Sequence, residues 1–156
     1  MVKYEKDDQD FTLWMLMILA RDIVYKAREK ELGKYGITPE QSGAIFAIRA
    51  LGKEATISNI GRRLLREPHS VSILLKRLES NGFIKRNKPK TGKLPATYTI
   101  TEKGQQAYKN STKRESIHRA MSSLSEDERK NLERCLRKIM DGTFKDILDD
   151  MRPVWP

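Results

Sequence analysis

Between Phe11 and about Leu32, apolar residues recur at helical spacing on two sides of one helix. One stripe runs through Phe11, Trp14, Met17, Ile18, Val24 and Tyr25; the other runs through Leu13, Leu16, Ala20, Ile23 and Ala27, and Gly33 ends the pattern. A helix apolar on two sides must bury both. A small domain does not easily cover both by itself, so the pattern predicts a helix shared with a second copy of the chain. Thr38-Pro39-Glu40-Gln41 then predicts a sharply defined helix start. Thr38 accepts from the Gln41 N–H, Gln41 reaches back, and Pro39 sits where its missing N–H costs nothing. Ile45, Phe46, Ile48 and Leu51 supply a buried face before Gly52. Thr56 caps a short third helix that turns Ile57, Ile60 and Leu64 inward. After Leu65-Arg66-Glu67, Pro68 opens a fourth helix with Val71, Leu74, Leu75 and Leu78 on one face, ended by Asn81-Gly82.

The period then changes from helical to extended. Phe83-Ile84-Lys85-Arg86 and Ala96-Thr97-Tyr98-Thr99-Ile100 are strand-like, and the basic, Gly- and Pro-broken stretch from Asn87 to Pro95 predicts a hairpin tip. Thr101 caps a fifth helix, and Ser125-Glu126-Asp127-Glu128 is a second capping box opening a sixth. That last helix carries Leu132, Cys135, Leu136, Ile139, Met140, Phe144, Ile147, Leu148 and Met151 on one stripe. The stripe suits either core packing or a subunit interface, and its place outside the compact centre favours the interface. The expected fold is mainly α with a small β-hairpin wing (α+β). It divides into an N-terminal dimerisation helix (1–36), a central lobe (37–100) and C-terminal dimerisation helices (101–156).

Charge adds what periodicity cannot. The 156 residues carry a net charge of +10, yet residues 51–100 hold eleven basic against three acidic groups and the two flanks are nearly neutral. A concentrated excess of this kind points to a polyanionic partner. A membrane is disfavoured, because the longest apolar run, Leu13 to Ala20, is closed by Arg21 after eight residues, far short of the roughly 20 needed to span. The acidic residues Asp7, Asp8 and Asp10 before that run are the opposite of a signal peptide's basic start. One cysteine, Cys135, allows no intrachain disulfide and suits a reducing, cytoplasmic setting; with two histidines it makes no zinc site.

Two short helices joined by a tight turn and followed by a basic hairpin describe a winged helix-turn-helix, whose second helix enters the major groove of DNA. With Val71, Leu74 and Leu78 turned inward, His69, Ser70, Ser72, Ile73, Lys76 and Arg77 face outward. Ser70 and Ser72 suit base edges or phosphates, and Lys76 and Arg77 suit phosphates or guanine. Lys88, Lys90 and Lys93 add positive charge on the wing. The expected partner is double-stranded DNA, and no metal or other cofactor is called for.

Thr38-Pro39-Glu40-Gln41, Thr56-Ile57-Ser58-Asn59-Ile60, the stretch Val71 to Arg86, and Ile100-Thr101-Glu102-Lys103-Gly104 together resemble the MarR family of transcription regulators. The likeness extends over essentially the whole chain, including helix order. It implies a homodimer built on the N- and C-terminal helices, binding a pseudopalindromic operator, usually as a repressor and often released by a small aromatic or phenolic ligand. It also implies an effector pocket where the dimerisation helices meet the DNA-binding lobe, for which Trp14, Met17, Arg21, Phe46, Arg49 and His118 are candidates. The chain departs from the family in the wing. Where the family usually has Asp-x-Arg, Gly92 and Leu94 stand here, so lysine contacts to phosphate replace a flat guanidinium fork in the minor groove.

Two other classes compete. An architectural or RNA-binding winged-helix protein would share the basic centre but lack an operator. An enzyme would need a nucleophile–base pair, a metal cluster or a phosphate-cradling glycine loop, and the sequence offers none of these. Cys135 lies between Leu132 and Leu136 on an apolar face, where a cysteine packs as a small hydrophobe rather than as a redox sensor.

Overall fold

The computed structural model describes residues 8–89, 91–92 and 94–147, with side chains described as far as residue 143 in the last helix. Seven helices and one hairpin follow in the order α1 (Gln9–Gly33), α2 (Pro39–Leu51), α3 (Ile57–Leu64), α4 (Pro68–Ser80), β1 (Ile84–Asn87), β2 (Thr97–Ile100), α5 (Glu102–Ser111), α6 (Glu115–Met121) and α7 (Glu126–Ile147). The fold is thus mainly helical with a two-stranded wing, as the sequence implies.

Local chemistry sets most of these boundaries. Asp8 accepts from the Phe11 N–H at 3.0 Å and starts α1. At α2 both halves of the capping box form, with Gln41 N–H to Thr38 Oγ1 at 3.2 Å and Thr38 N–H to Gln41 Oε1 at 3.0 Å. Thr56 and Thr101 cap α3 and α5 through the N–H groups of Asn59 and Gly104. Ser125 and Glu128 satisfy each other's backbone N–H groups ahead of α7. Gly52, at φ 54°, ends α2 and enters a 3-10 turn over Gly52–Glu54 that the apolar pattern does not reveal.

The core lies inside the central lobe. Ile45 and Ile48 of α2, Ile60 of α3, Val71, Leu75 and Leu78 of α4, and Phe83, Ile84 and Tyr98 of the hairpin are all buried. Leu32 from the end of α1 joins them. Fully burying each large aliphatic side chain contributes about 1.5–3 kcal/mol. The strands pair antiparallel with Ile84 opposite Ile100 and Asn87 opposite Thr97. The Tyr98 N–H donates to the Ala55 carbonyl at 3.0 Å, tying the hairpin to the turn after α2. At Gly104 the first turn of α5 comes so close to the segment just before β1 that an added Cβ would run into the Phe83 carbonyl oxygen.

Two expectations are corrected. Phe83 is not a strand residue; its N–H donates to the Leu78 carbonyl at 2.9 Å and closes α4. The segment after Thr101 holds two helices rather than one, so the helix opened by the second capping box is the seventh, not the sixth. The break falls at Arg114, at φ 52°. No Gly or Pro marks it, which is why the composition gave no warning.

The flanking helices contribute little to this core. Along α1, Leu16 is 56% and Ile23 69% exposed within the chain, and Phe11, Leu13, Trp14 and Leu19 are exposed too. Leu132, Leu136, Ile139 and Met140 of α7 are likewise exposed, as is Cys135. Core packing within one chain therefore does not explain the described part of the α7 stripe. Of the remaining stripe positions, the side chains of Phe144 and Ile147, and all of Leu148 and Met151, lie outside what the structure describes.

Candidate nucleic-acid interface

The turn between α3 and α4 aims the fourth helix. Leu65 adopts the left-handed conformation at φ 52° and ψ 48°, an uncommon state for a bulky side chain. The Arg66 N–H then returns to the Gly61 carbonyl at 3.0 Å. A Cβ on Gly61 would stand 2.8 Å from the Arg66 carbonyl oxygen, so only glycine admits this approach. Pro68 follows at the first helical position, where its fixed φ suits the helix.

On α4, Val71, Leu74, Leu75 and Leu78 are buried. His69, Ser70, Ile73, Lys76 and Arg77 are exposed, and Ser72 is half-buried. The outward positions predicted from spacing thus lie on one side of a rigid helix. Its first turn presents unpaired backbone N–H groups, which favour an anionic group such as phosphate. Lys88 is exposed just beyond β1, whereas Lys90 and Lys93 lie outside the described residues. Arg62, Arg66, Lys85 and Arg86 are also exposed in this lobe. Helical spacing does not single these four out, although they contribute to the positive charge of residues 51–100.

A cleft of about 430 Å³ separates the start of α2 from α4, lined by Thr38, Glu40, Gln41, Arg66, Ser70, Ile73, Leu74 and Arg77. Tyr25 of α1 donates its hydroxyl proton to Glu40, and Arg66 Nη2 lies 3.7 Å from Glu40 Oε1. Burial works to raise the Glu40 carboxyl, but the bonds from Tyr25 and Thr38 and the charge of Arg66 hold it below the usual range. Burial, together with the Glu40 bond, pushes the Tyr25 phenol up to about 12.

A second polar knot joins the lobe to the flanking helices. Glu31, buried near the end of α1, accepts from the N–H groups of Glu115 and Ser116 at 3.0 Å each, and from the Ser116 hydroxyl. It therefore serves as the cap of α6, whose own preceding residue, Arg114, provides none. Arg28 Nη1 lies 2.9 Å from Glu31 Oε2 as an ion pair rather than a well-aligned hydrogen bond, while Nη2 donates to the Ser111 carbonyl at the end of α5. Burial alone would raise the Glu31 carboxyl, yet the bonds from Ser116, Arg28 and Glu115 bring it to about 2.

The six residues expected to line an effector pocket take part in several separate contacts among the described residues. Phe46 and Arg49 both meet Tyr108, the first by stacking at 6.5 Å and the second as a cation 4.6 Å above the ring. Arg21 lies over Tyr25 at 4.9 Å, Trp14 and Met17 are exposed along α1, and His118 is exposed on α6. Phe46 instead contributes to a cleft of about 330 Å³ with Arg28, Ala47, Arg63, Leu64, Tyr108 and Arg114 among its walls. Three of its lining side chains are arginines and none is acidic. Arg28, Arg63, Tyr108 and Arg114 come together only through the packing of α1, α2, α3 and α5, a juxtaposition that helical spacing could not indicate.

Among the described residues no group of three or more His, Cys, Asp or Glu is placed to hold a metal ion. No helix there is long and apolar enough to cross a membrane.

Residues 35–93, from just after α1 to the loop between β1 and β2, match the family model described as the MarR family. No curated protein matches significantly. Among solved structures, the fold is similar to the organohalide-sensing transcriptional regulator RdhR-CbdbA1625 in its 2,4-dichlorophenol-bound form. That match has 22% identity and a TM-score of 0.88, covering 97% of this chain and 91% of that one. It is similar to a mutant of E. coli MarR complexed with operator DNA at 19% identity and a TM-score of 0.77, covering 87% and 99%. The S. aureus MepR–DNA complex is similar at 24% identity and a TM-score of 0.71, again covering 87% and 99%. Over residues 35–93 the chain is thus similar to the MarR family, and the described fold is similar to these winged-helix structures.

Proposed function

We propose, from the MarR-family match over residues 35–93 and the winged-helix fold, that the protein is a homodimeric, sequence-specific DNA-binding transcription regulator. The observation that carries the proposal is α4. Its apolar face is wholly committed to the lobe, and its opposite face offers His69, Ser70, Ser72, Ile73, Lys76 and Arg77. In this reading α4 lies in the major groove and contacts base edges and phosphates through those residues. Lys88, Lys90 and Lys93 on the wing hold the adjacent backbone. The exposed apolar faces of α1 and α7 form the dimer contact, which divides the chain into dimerisation segments 1–36 and 101–156 around the lobe 37–100.

The regulator acts as a repressor relieved by a small aromatic or phenolic ligand. The 2,4-dichlorophenol of RdhR-CbdbA1625 supports that ligand class by analogy. We place the ligand in the cleft beside Phe46 and Tyr108, whose walls are aromatic and cationic.

Selection of bound fragments from a random duplex pool at near-physiological salt tests the central statement. An inverted repeat with half-site centres about one helical turn apart is expected. Binding without an enriched motif, falling steeply with added salt, would instead establish the architectural reading.

A further inference from the structure

Tyr25, Glu40 and Arg66 form a line of contacts from α1, across the start of α2, to the turn that launches α4. We propose that Glu40 is a positioning residue which, anchored by Tyr25, holds the Arg66 guanidinium at the mouth of the cleft beside α4, where Arg66 takes a backbone phosphate of the bound duplex. The inference rests on the DNA-binding reading and names a contact that reading does not contain.

Three observations support it. The Arg66 backbone is fixed on both sides, by its N–H bond to Gly61 and by its carbonyl packed against the same glycine, so only its side chain is left to be placed. That side chain is 40% exposed and makes its ion pair through one nitrogen. A guanidinium carries five N–H donors in a flat fork suited to phosphate, so donors remain after the pair with Glu40. Finally, Glu40 is the only acidic group lining this cleft, among Ser70, Ile73 and Arg77 of the outward face of α4. A carboxylate there would repel a polyanion unless a cation stood in front of it.

Charge alone and positioning predict opposite signs for one substitution. Removing the negative charge with Glu40→Gln would tighten DNA binding if Glu40 were only a repulsive neighbour. The proposal requires weaker binding, by about threefold, because the guanidinium loses its anchor. Fluorescence anisotropy with the operator obtained by selection, over a range of salt, reads this directly on the full chain. Arg66→Ala is expected to weaken binding about tenfold and to flatten the slope of log affinity against log salt by about two, one phosphate per protomer. Arg66→Lys is expected to restore the slope. The uncharged change Tyr25→Phe is expected to weaken binding about threefold, and to add nothing in an Arg66→Ala background.

Tighter binding by Glu40→Gln, an unchanged salt slope in Arg66→Ala, or additive effects of Tyr25→Phe and Arg66→Ala would each overturn the proposal. Thermal melts of every variant separate these outcomes from misfolding. If Arg66→Ala fails to fold, the salt slope of Arg66→Lys and the affinity of Tyr25→Phe decide the matter. A wild-type chain that selects no duplex would instead bring down the DNA-binding reading itself.

Discussion

Replacing Glu31 by Gln tests whether one buried carboxylate joins the lobe to the flanking helices. The carboxyl moves from an ordinary value of 4.5 to about 2 in the folded chain, and each pH unit corresponds to about 1.4 kcal/mol. The ionised form therefore stabilises the fold by roughly 3 kcal/mol. A second route agrees. The side chains of Arg28 and Glu31 are only 12% and 7% exposed, and removing one member of a buried pair typically costs about 3–5 kcal/mol. Because the folded value is depressed, this stability is fully present above about pH 4.5 and disappears as pH falls toward 2. Urea unfolding of wild type and Glu31→Gln from pH 7 to pH 3, at one protomer concentration because association shifts apparent stability, should show a gap of about 3 kcal/mol at pH 7 that narrows below pH 4.5. A variant within about 1 kcal/mol of wild type at pH 7 would refute the reasoning. So would a gap that stays constant across the acid range.

Three other outcomes follow from the structure. Gly104→Ala forces a methyl group into the Phe83 carbonyl and should destabilise the lobe by about 3 kcal/mol, read as a lowered thermal midpoint; an unchanged midpoint would mean that α5 does not pack against Phe83 as described. Lys88→Ala and Lys93→Ala should weaken binding to all sequences alike, while Ser72→Ala and Arg77→Ala should change which bases are selected; repeating the fragment selection with each variant distinguishes the two effects. Phe46→Ala and Arg63→Ala should weaken release from DNA by 2,4-dichlorophenol about tenfold or more, whereas His118→Ala should leave it intact, as measured by ligand titration of the preformed DNA complex.

The helix-turn-helix was legible because its signals are local. Thr38, Thr56, Pro68 and Thr101 mark helix starts through bonds within one turn, and the α4 stripe needs only its own periodicity. The features that escaped depend on distant partners. The start of α6 is capped by Glu31, more than eighty residues earlier, so nothing near Arg114 announces it. Phe83 has a strand-forming side chain, but the carbonyl of Leu78 claims its N–H. The cleft beside Phe46 depends on the ends of α3 and α5 meeting α2, which no local pattern announces. The contact of Arg66 with Glu40 joins the α3–α4 turn to the start of α2, so no local pattern signals it.

The two faces of α4 answer to different constraints, and that separation bears on how such a chain could change its target. Val71, Leu74, Leu75 and Leu78 are buried in the lobe, while His69, Ser70, Ile73, Lys76 and Arg77 are exposed. Substitution on the outer face should therefore cost little stability; exposed positions of this kind usually move it by less than about 0.5 kcal/mol. A lineage could then explore new operators one residue at a time without passing through misfolded intermediates. An engineer could do the same, grafting the outer face of another regulator onto this helix and leaving the rest of the chain untouched.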